Sequence, residues 1–276
     1  MIRVTEARLE HPTLPVLELN GQDGLRVVGV DFGFAEPREV LNPRAGADGE
    51  LDETRFHSGR VVSLTLSVTD PAKLDELMAY TSPGLRPTLR YRIRGRGRRM
   101  IRLRASDLSR PVEFGVAEVD VQWRAPDGVA ESVDLETQLV NPAGDEDGRS
   151  YDLSFDRSWP ESQGPGRVEI VNEGSATAYP VFRIYGPVTD PLIENETSGR
   201  QLSFDIEVSQ GDYLEVDTAN RTIRLNGLEV NNRYDSLDFP TSQWFGLRPG
   251  VNLIRFAPST SSAPAVCEVR WRGAWL

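Results

Sequence analysis

The sequence predicts a mainly β protein of two domains: a β-rich α+β domain with one short helix over residues 1–125, and an antiparallel β-sandwich over residues 126–276. Three observations carry this. Apolar and polar residues alternate along many short runs, the period of a half-buried strand. Turn residues punctuate those runs, with 24 glycines and 19 prolines in 276 residues. Only one stretch has convincing helical spacing. A chain of this length can bury two separate cores.

In order along the chain, Val62, Leu64, Leu66 and Val68 alternate with Ser63, Thr65 and Ser67. The helix follows at once. Asp70 is placed to cap its first turn, Pro71 has the preset φ favoured at the first helical position, and Leu74, Leu77 and Met78 fall on one face before Pro83-Gly84 stops it. Leu89, Tyr91 and Ile93 then alternate with Arg90 and Arg92, and Ile101 and Leu103 with Arg102 and Arg104, as two strands of a hairpin. Val119, Val121 and Trp123 alternate with Glu118, Asp120 and Gln122. Between 126 and 166 the texture changes to APDG, NPAGDEDG and WPESQGPG, which sets the boundary near Pro126, with 143–150 as the alternative. Beyond it, strands are expected around 168–171, 179–186, 202–208, 213–217, 222–226, 251–256 and 266–272, in the manner of a β-sandwich. Asn20-Gly21, Asp23-Gly24, Asp48-Gly49, Asp127-Gly128, Asp147-Gly148 and Asn226-Gly227 supply turns.

The hairpin LRYRIRGRGRRMIRLR, residues 89–104, contributes +8 to a chain of net charge -11, leaving -19 elsewhere. Alternation gives it one apolar and one guanidinium face. A guanidinium face can neutralise phosphates, but the field of the remaining chain repels a polyanion, and Tyr91 is the only aromatic available for base stacking. No direct nucleic-acid binding is expected. Glu118 and Asp120 are candidate partners across the sheet, and a neighbouring subunit is the other. Gly95-x-Gly97 leads to Met100 where a dinucleotide fingerprint requires glycine.

No catalytic constellation emerges. His11 and His57, the two histidines, lack a GxSxG or HExxH partner. Asp205, Glu207, Asp212, Glu215 and Asp217 fall on outward strand positions or in turns, where solvated carboxylates are the rule, and Asp145-Glu146-Asp147 lacks EF-hand spacing. Neither a metal nor a cofactor is expected. Cys267 is the only cysteine, which excludes an internal disulfide; with Val269 and Trp271 it shares one strand face. The charged N-terminus lacks a signal-peptide core and no apolar run reaches the roughly 20 residues of a membrane span. Synthesis as a soluble cytoplasmic chain, with no membrane contact, is therefore expected. Asn195-Glu196-Thr197 and Asn220-Arg221-Thr222 match the glycosylation pattern but are better turn residues. Trp244, in TSQWFGLRPG, is the open candidate for stacking on a sugar ring.

Several C-terminal elements occur in a specific order: Asn172-x-Gly174, a strand through Pro180 to Gly186-Pro187, the Gly211-Asp212 turn with Asp217-Thr218, Asn226-Gly227, and Leu247-x-Pro249-Gly250-x-Asn252. In that order and spacing the chain resembles the distal tail protein family of long-tailed, non-contractile bacteriophages. The N-terminal half, with DGELDETRFHSGRVVSLTLSV, one helix, the arginine hairpin and VDVQWRAPDG, is similar to that family's ring-forming domain. The resemblance implies a structural virion protein and no enzyme. Its N-terminal domains would form a homo-hexameric ring at the tail tip, and its C-terminal sandwiches would be galectin-like. The implied partners are other copies of the chain, the tail tube protein above, and the baseplate hub or fibre proteins below. A closed ring needs two different, complementary patches per subunit. Arg90, Arg92, Arg94, Arg96, Arg102 and Arg104 are expected on one, and Asp48, Glu50, Asp52 and Glu53 on the other. The alternative is a carbohydrate-binding module that meets the host surface through the C-terminal sandwich and Trp244.

Overall fold

The computed structural model describes residues 4–35, 37–38, 42–43, 50–51, 56–105, 118–143 and 166–276. The chain divides into two units, Met1–Asp134 with Trp275–Leu276, and Leu135–Ala274. Residues 126–134, expected with the C-terminal domain, go with the first unit because Ala130–Ser132 pairs with the second strand of the arginine hairpin.

Counting strands of three or more residues, the first unit contains β1 (Val4–His11), β2 (Leu14–Glu18), β3 (Leu25–Asp31), β4 (Arg60–Val68), β5 (Thr88–Ile93), β6 (Arg98–Arg102), β7 (Glu118–Ala125) and β8 (Ala130–Ser132). Helix α1 (Pro71–Ala79) follows β4. One antiparallel sheet has the order β2-β1-β5-β6-β8, the other β7-β4-β3 with Arg104–Ala105 beside β7. Leu9, Leu89 and Ile101 from the first sheet and Val62, Leu64, Leu66, Val121 and Trp123 from the second form one core with Leu77 of α1. Each such side chain contributes about 1.5–3 kcal/mol by leaving water. Asp70 accepts a hydrogen bond from Ala72 N at 3.0 Å and so caps α1 as its sequence predicts. Tyr80, directly after the helix, ties the layers together: its hydroxyl donates to the carbonyls of Leu9 (3.2 Å) and Pro15 (2.7 Å), and its own carbonyl accepts from Trp123 Nε1 at 3.3 Å.

The second unit is an antiparallel sandwich. Its strands are β9 (Glu136–Val140), β10 (Arg167–Asn172), β11 (Val181–Tyr185), β12 (Leu192–Asn195), β13 (Arg200–Ser203), β14 (Tyr213–Asp217), β15 (Thr222–Leu225), β16 (Gly250–Phe256) and β17 (Val266–Trp271). The sheet orders are β9-β17-β11-β14-β15 and β10-β16-β12-β13. Cys267, Val269 and Trp271 are buried on one face of β17, and burial pushes the Cys267 thiol pKa upward. The alternation from Leu202 to Val208 is not one strand. It breaks after Ser203, where Asp205 N turns to the carbonyl of Ser236 (2.8 Å), and Glu207–Val208 pairs instead with Val188–Thr189 in a small third sheet.

Buried amides fasten this sandwich. Asn172 is 1% exposed, yet its side chain makes four hydrogen bonds: Nδ2 donates to Ala176 O (2.8 Å) and Leu247 O (3.0 Å), while Oδ1 accepts from Gly174 N (3.0 Å) and Ala274 N (3.3 Å). A Cβ on Gly174 would lie 1.7 Å from the carbonyl oxygen of Ala274, so only glycine fits there. Asn252 closes the Arg248–Gly250 turn by accepting from Arg248 N and donating to both carbonyls. Asn226 accepts from Tyr213 N (3.0 Å) and donates to Asp212 (2.8 Å); Asp217 accepts from Ala219 N and Asn220 N. Asn195 is fully buried and accepts from Ser198 N, which fits a turn residue and not a sugar acceptor.

Removing the Asn172 side chain strands four backbone groups in the interior. Asn172→Ala should therefore destabilise the chain by roughly 2–4 kcal/mol, and Gly174→Ala should be at least as damaging because backbone must move to admit it. Chemical denaturation of the two variants beside wild type measures both effects; an unchanged midpoint for Asn172→Ala would contradict the fastening role.

Candidate functional site

The arginine hairpin lies in the middle of the first sheet. β5 pairs with β1, so that Arg8 stands opposite Arg90 and Glu6 opposite Arg92. β6 pairs with β5, so that Arg98 stands opposite Arg92 and Met100 opposite Arg90. Leu89, Tyr91 and Ile101 face the core, and the outward face carries Arg90, Arg92, Arg98 and Arg102. The alternation continues back from Ile101: Met100 lies on the arginine face, and Arg99, opposite Tyr91, lies on the core face.

Like charges directly opposite one another destabilise a sheet, and two such pairs meet here. Each is bridged by a glutamate of β1. Glu10 stands 2.7 Å from Arg8 Nε and 2.8 Å from Arg90 Nε; Glu6 stands 3.1 Å from Arg98 Nε and 3.4 Å from Arg92. Glu131 of β8 holds Arg102 at 3.0 Å. Burial opposes ionisation of Glu6, but Arg98 and then Arg92 outweigh it and hold its carboxyl below the usual range. Arg90, Arg92, Arg98 and Arg102 are thus paired within their own sheet, by Glu6, Glu10 and Glu131. The expected partners Glu118 and Asp120 lie on β7 of the other sheet, where Asp120 accepts from Thr65 Oγ1 at 2.6 Å. The glutamates of β1 escaped sequence reasoning because they precede the hairpin by some 80 residues, and only the β1–β5 register joins them.

Of the candidate interface residues, Arg90, Arg92 and Arg102 belong to this network. Arg94 and Arg96 are exposed at the hairpin tip, and Arg104 is exposed opposite Arg124 on the other sheet; among the described residues none of these four has an ion pair. Glu50 lies in a two-residue strand with Leu51, paired to Asn42–Pro43. Asp48, Asp52 and Glu53 lie outside the described residues, as do Asp145, Glu146 and Asp147.

The second candidate, Trp244, is half-buried in the sandwich. Its ring is nearly parallel to that of Tyr234 (interplanar angle 12°, centroids 6.4 Å apart), and Phe239, more than half exposed, meets Tyr234 edge-on at 5.6 Å. Sequence reasoning missed this trio because its members lie in a loop without periodicity. Three of the acidic candidates have structural duties: Glu215 pairs with Arg183 at 2.9 Å, and Asp212 and Asp217 hold turns. Among the described residues no three His, Cys, Asp or Glu side chains are grouped to hold a metal ion, and no helix is long and apolar enough to cross a membrane.

Comparison with known proteins bears on both halves. Residues 173–275 match the family model of the siphovirus-type tail component, C-terminal domain. No curated protein matches the sequence. Among solved structures, the Dit protein of phage SPP1 is similar over 98% of this chain and 99% of its own, at 13% identity and a TM-score of 0.63. A chain of the phage P2 baseplate in its activated conformation with Ca is similar over 96% of this chain and 97% of its own, at 10% identity and a TM-score of 0.47. At such low identity the SPP1 likeness shows a shared fold, and it spans both units. The amides and glycines that fasten the sandwich lie within or beside the matched segment. Residues 173–275 are thus similar to the C-terminal domain of siphovirus-type tail components, and the chain shares the fold of SPP1 Dit over nearly its whole length.

Proposed function

We propose that this structural tail protein closes into a homo-hexameric ring at the distal end of the phage tail, joining the tail tube to the baseplate hub. The observation that carries this reading is the family match of residues 173–275, joined to a fold shared over nearly the whole chain with SPP1 Dit, a protein described as a paradigm of the hub adsorption apparatus. The work of such a ring is mechanical. It requires no catalysis, and its partners are copies of itself, the tube protein above and the hub or fibre proteins below. Its place is the tail tip of the virion.

The ion network refines the role of the arginines. Arg90, Arg92 and Arg102 stabilise their own subunit, while Arg94 and Arg96 at the hairpin tip form the patch offered to a neighbour, with carboxylates of the acidic remainder of the chain as its counterpart. A heterologous contact of this kind suits a cyclic assembly. In the same reading the arginines point away from a DNA channel, because an arginine lining would retain the genome it must let pass.

A second reading has one observation in its favour. The rings of Trp244, Tyr234 and Phe239 form a partly exposed aromatic surface on the sandwich, the kind of surface on which a sugar ring stacks. Saccharide binding at the host surface would be an activity added to the ring.

Three outcomes are expected. Native mass by light scattering should converge on six copies, with dissociation favoured at high salt, where exposed charges are screened; Arg94→Glu with Arg96→Glu should weaken assembly while leaving the melting temperature nearly unchanged. A strict monomer in the presence of the tube and hub proteins would overturn the ring. The lowered pKa of Glu6 means that its contribution is present above the ordinary glutamate value of 4.5 and lost as pH falls through the lowered value. Thermal melts in that acid window should accordingly show a drop in wild type that Glu6→Gln lacks, Glu6→Gln being already the less stable at neutral pH. For the second reading, a glycan array should give a signal that Trp244→Ala removes; an array blank for wild type would dismiss it.

A further inference from the structure

Two surface features of the first unit complement one another, and the first is a projecting ring. Phe34 is 92% exposed, the most of any large apolar side chain among the described residues. The turn that carries it is fixed on both sides. Gly33 N donates to Asp31 Oδ1 at 2.8 Å, and a Cβ on Gly33 would lie 2.4 Å from the carbonyl oxygen of Val61, so the backbone rests directly on β4. Before Gly33, Phe32 packs its ring on Tyr91 at 4.4 Å; beyond Phe34, Ala35 lies against Gly128. An aromatic ring on backbone that is already ordered costs little further entropy when a partner buries it.

The second feature is a groove of about 740 Å³ beside β3, the edge strand of its sheet. A bulge between Val27 and Gly29 breaks the β3 register, and Val28 is 40% exposed there. Val4, Val27, Val28 and Val30 line the groove together with Arg26 and Arg94, both exposed. Glu6 lines it too, with its carboxylate held by Arg92 and Arg98. Apolar walls with two guanidiniums suit an occupant that combines an apolar ring with an acid. The Phe34 turn is such an occupant, since the exposed Asp31 opens it.

We propose that the turn of residues 31–35 of one copy enters the β3 groove of another, with Phe34 among the valines and Asp31 toward Arg26 and Arg94. The inference rests on the ring reading and names a contact within it. Aromatic residues are favoured at the core of protein interfaces, and complementary charge fixes their register. Turn and groove share no residue, as suits the heterologous contact of a ring. Arg94 lies both in the groove and in the hairpin-tip patch, so the two surfaces are continuous.

The test follows melting temperature and native mass of the full-length chain against protein concentration, for wild type, Phe34→Ser and Val28→Arg. In dilute solution both variants should melt with wild type, because each replaces an exposed side chain. Each should need about thirtyfold more protein to reach the same mass, the loss expected of an aromatic anchor. A Phe34→Cys chain mixed with a Val28→Cys chain under oxidation should give linked pairs that neither chain gives alone; the native Cys267 is buried and does not compete. Variants that assemble as readily as wild type, or a mixture that assembles without linking, would overturn the proposal while leaving the ring intact. A dilute Val28→Arg that melts well below wild type would show the groove to be filled by a segment of its own chain, which also overturns it. A wild type that stays monomeric even with the tube and hub proteins would remove the ring reading and this contact together.

Discussion

Two glutamates on the first strand decide whether the first sheet can exist. Burying Leu89, Tyr91 and Ile101 on one side obliges the arginines between them to share the other, where strand pairing sets Arg8 against Arg90 and Arg92 against Arg98. Glu10 and Glu6 each stand between such a pair. Without them the sheet would combine apolar burial with cross-strand repulsion at its centre, and β1, β5 and β6 are the strands through which β2 and β8 are attached. Exposed ion pairs are individually weak; their importance here is that they remove a penalty that the sequence of the hairpin would otherwise impose on every strand contact.

The second unit solves a different problem with neutral groups. Its strands are short, so much of its backbone lies in turns whose N–H and C=O groups end up inside. Asn172, Asn195 and Asn252 meet that need from buried positions. An amide offers donors and acceptors together and carries no charge to desolvate. These residues and Gly174 hold the loops around the sandwich.

Sequence legibility follows the same physics. Strands with one dry face, such as Arg60–Val68 and Glu118–Ala125, are plain in the sequence, as is the capped helix after Asp70. Glu136–Val140 is not, because four of its five residues are exposed at a sheet edge and leave no alternation to read. Leu202 to Val208 alternates and still is not one strand, since burial on one side does not require that neighbouring residues pair with the same sheet. For the arginine hairpin, the sequence disclosed the outward charge but not its partners. Glu6 and Glu10 are ordinary acids of an N-terminal strand until the register brings them against Arg92 and Arg90. Nor does the loop containing Tyr234, Phe239 and Trp244 announce that its rings meet.

Trp275 belongs to the first unit although Leu135–Ala274 separates it in sequence from the rest of that unit. The sandwich is therefore an insertion, entered after Asp134 and left just before Trp275. A chain cut after Asp134 would lose the aromatic lid that Trp275 places on Arg99 along with the sandwich, and such a fragment would differ from the intact unit at that guanidinium. The same connectivity fixes the order of events on the ribosome: Arg99 is made 176 residues before the ring that covers it, so this contact cannot form until the sandwich has been synthesised. Exchange of one sandwich for another in this architecture must preserve two junctions, and the second of them restores a piece of the first unit.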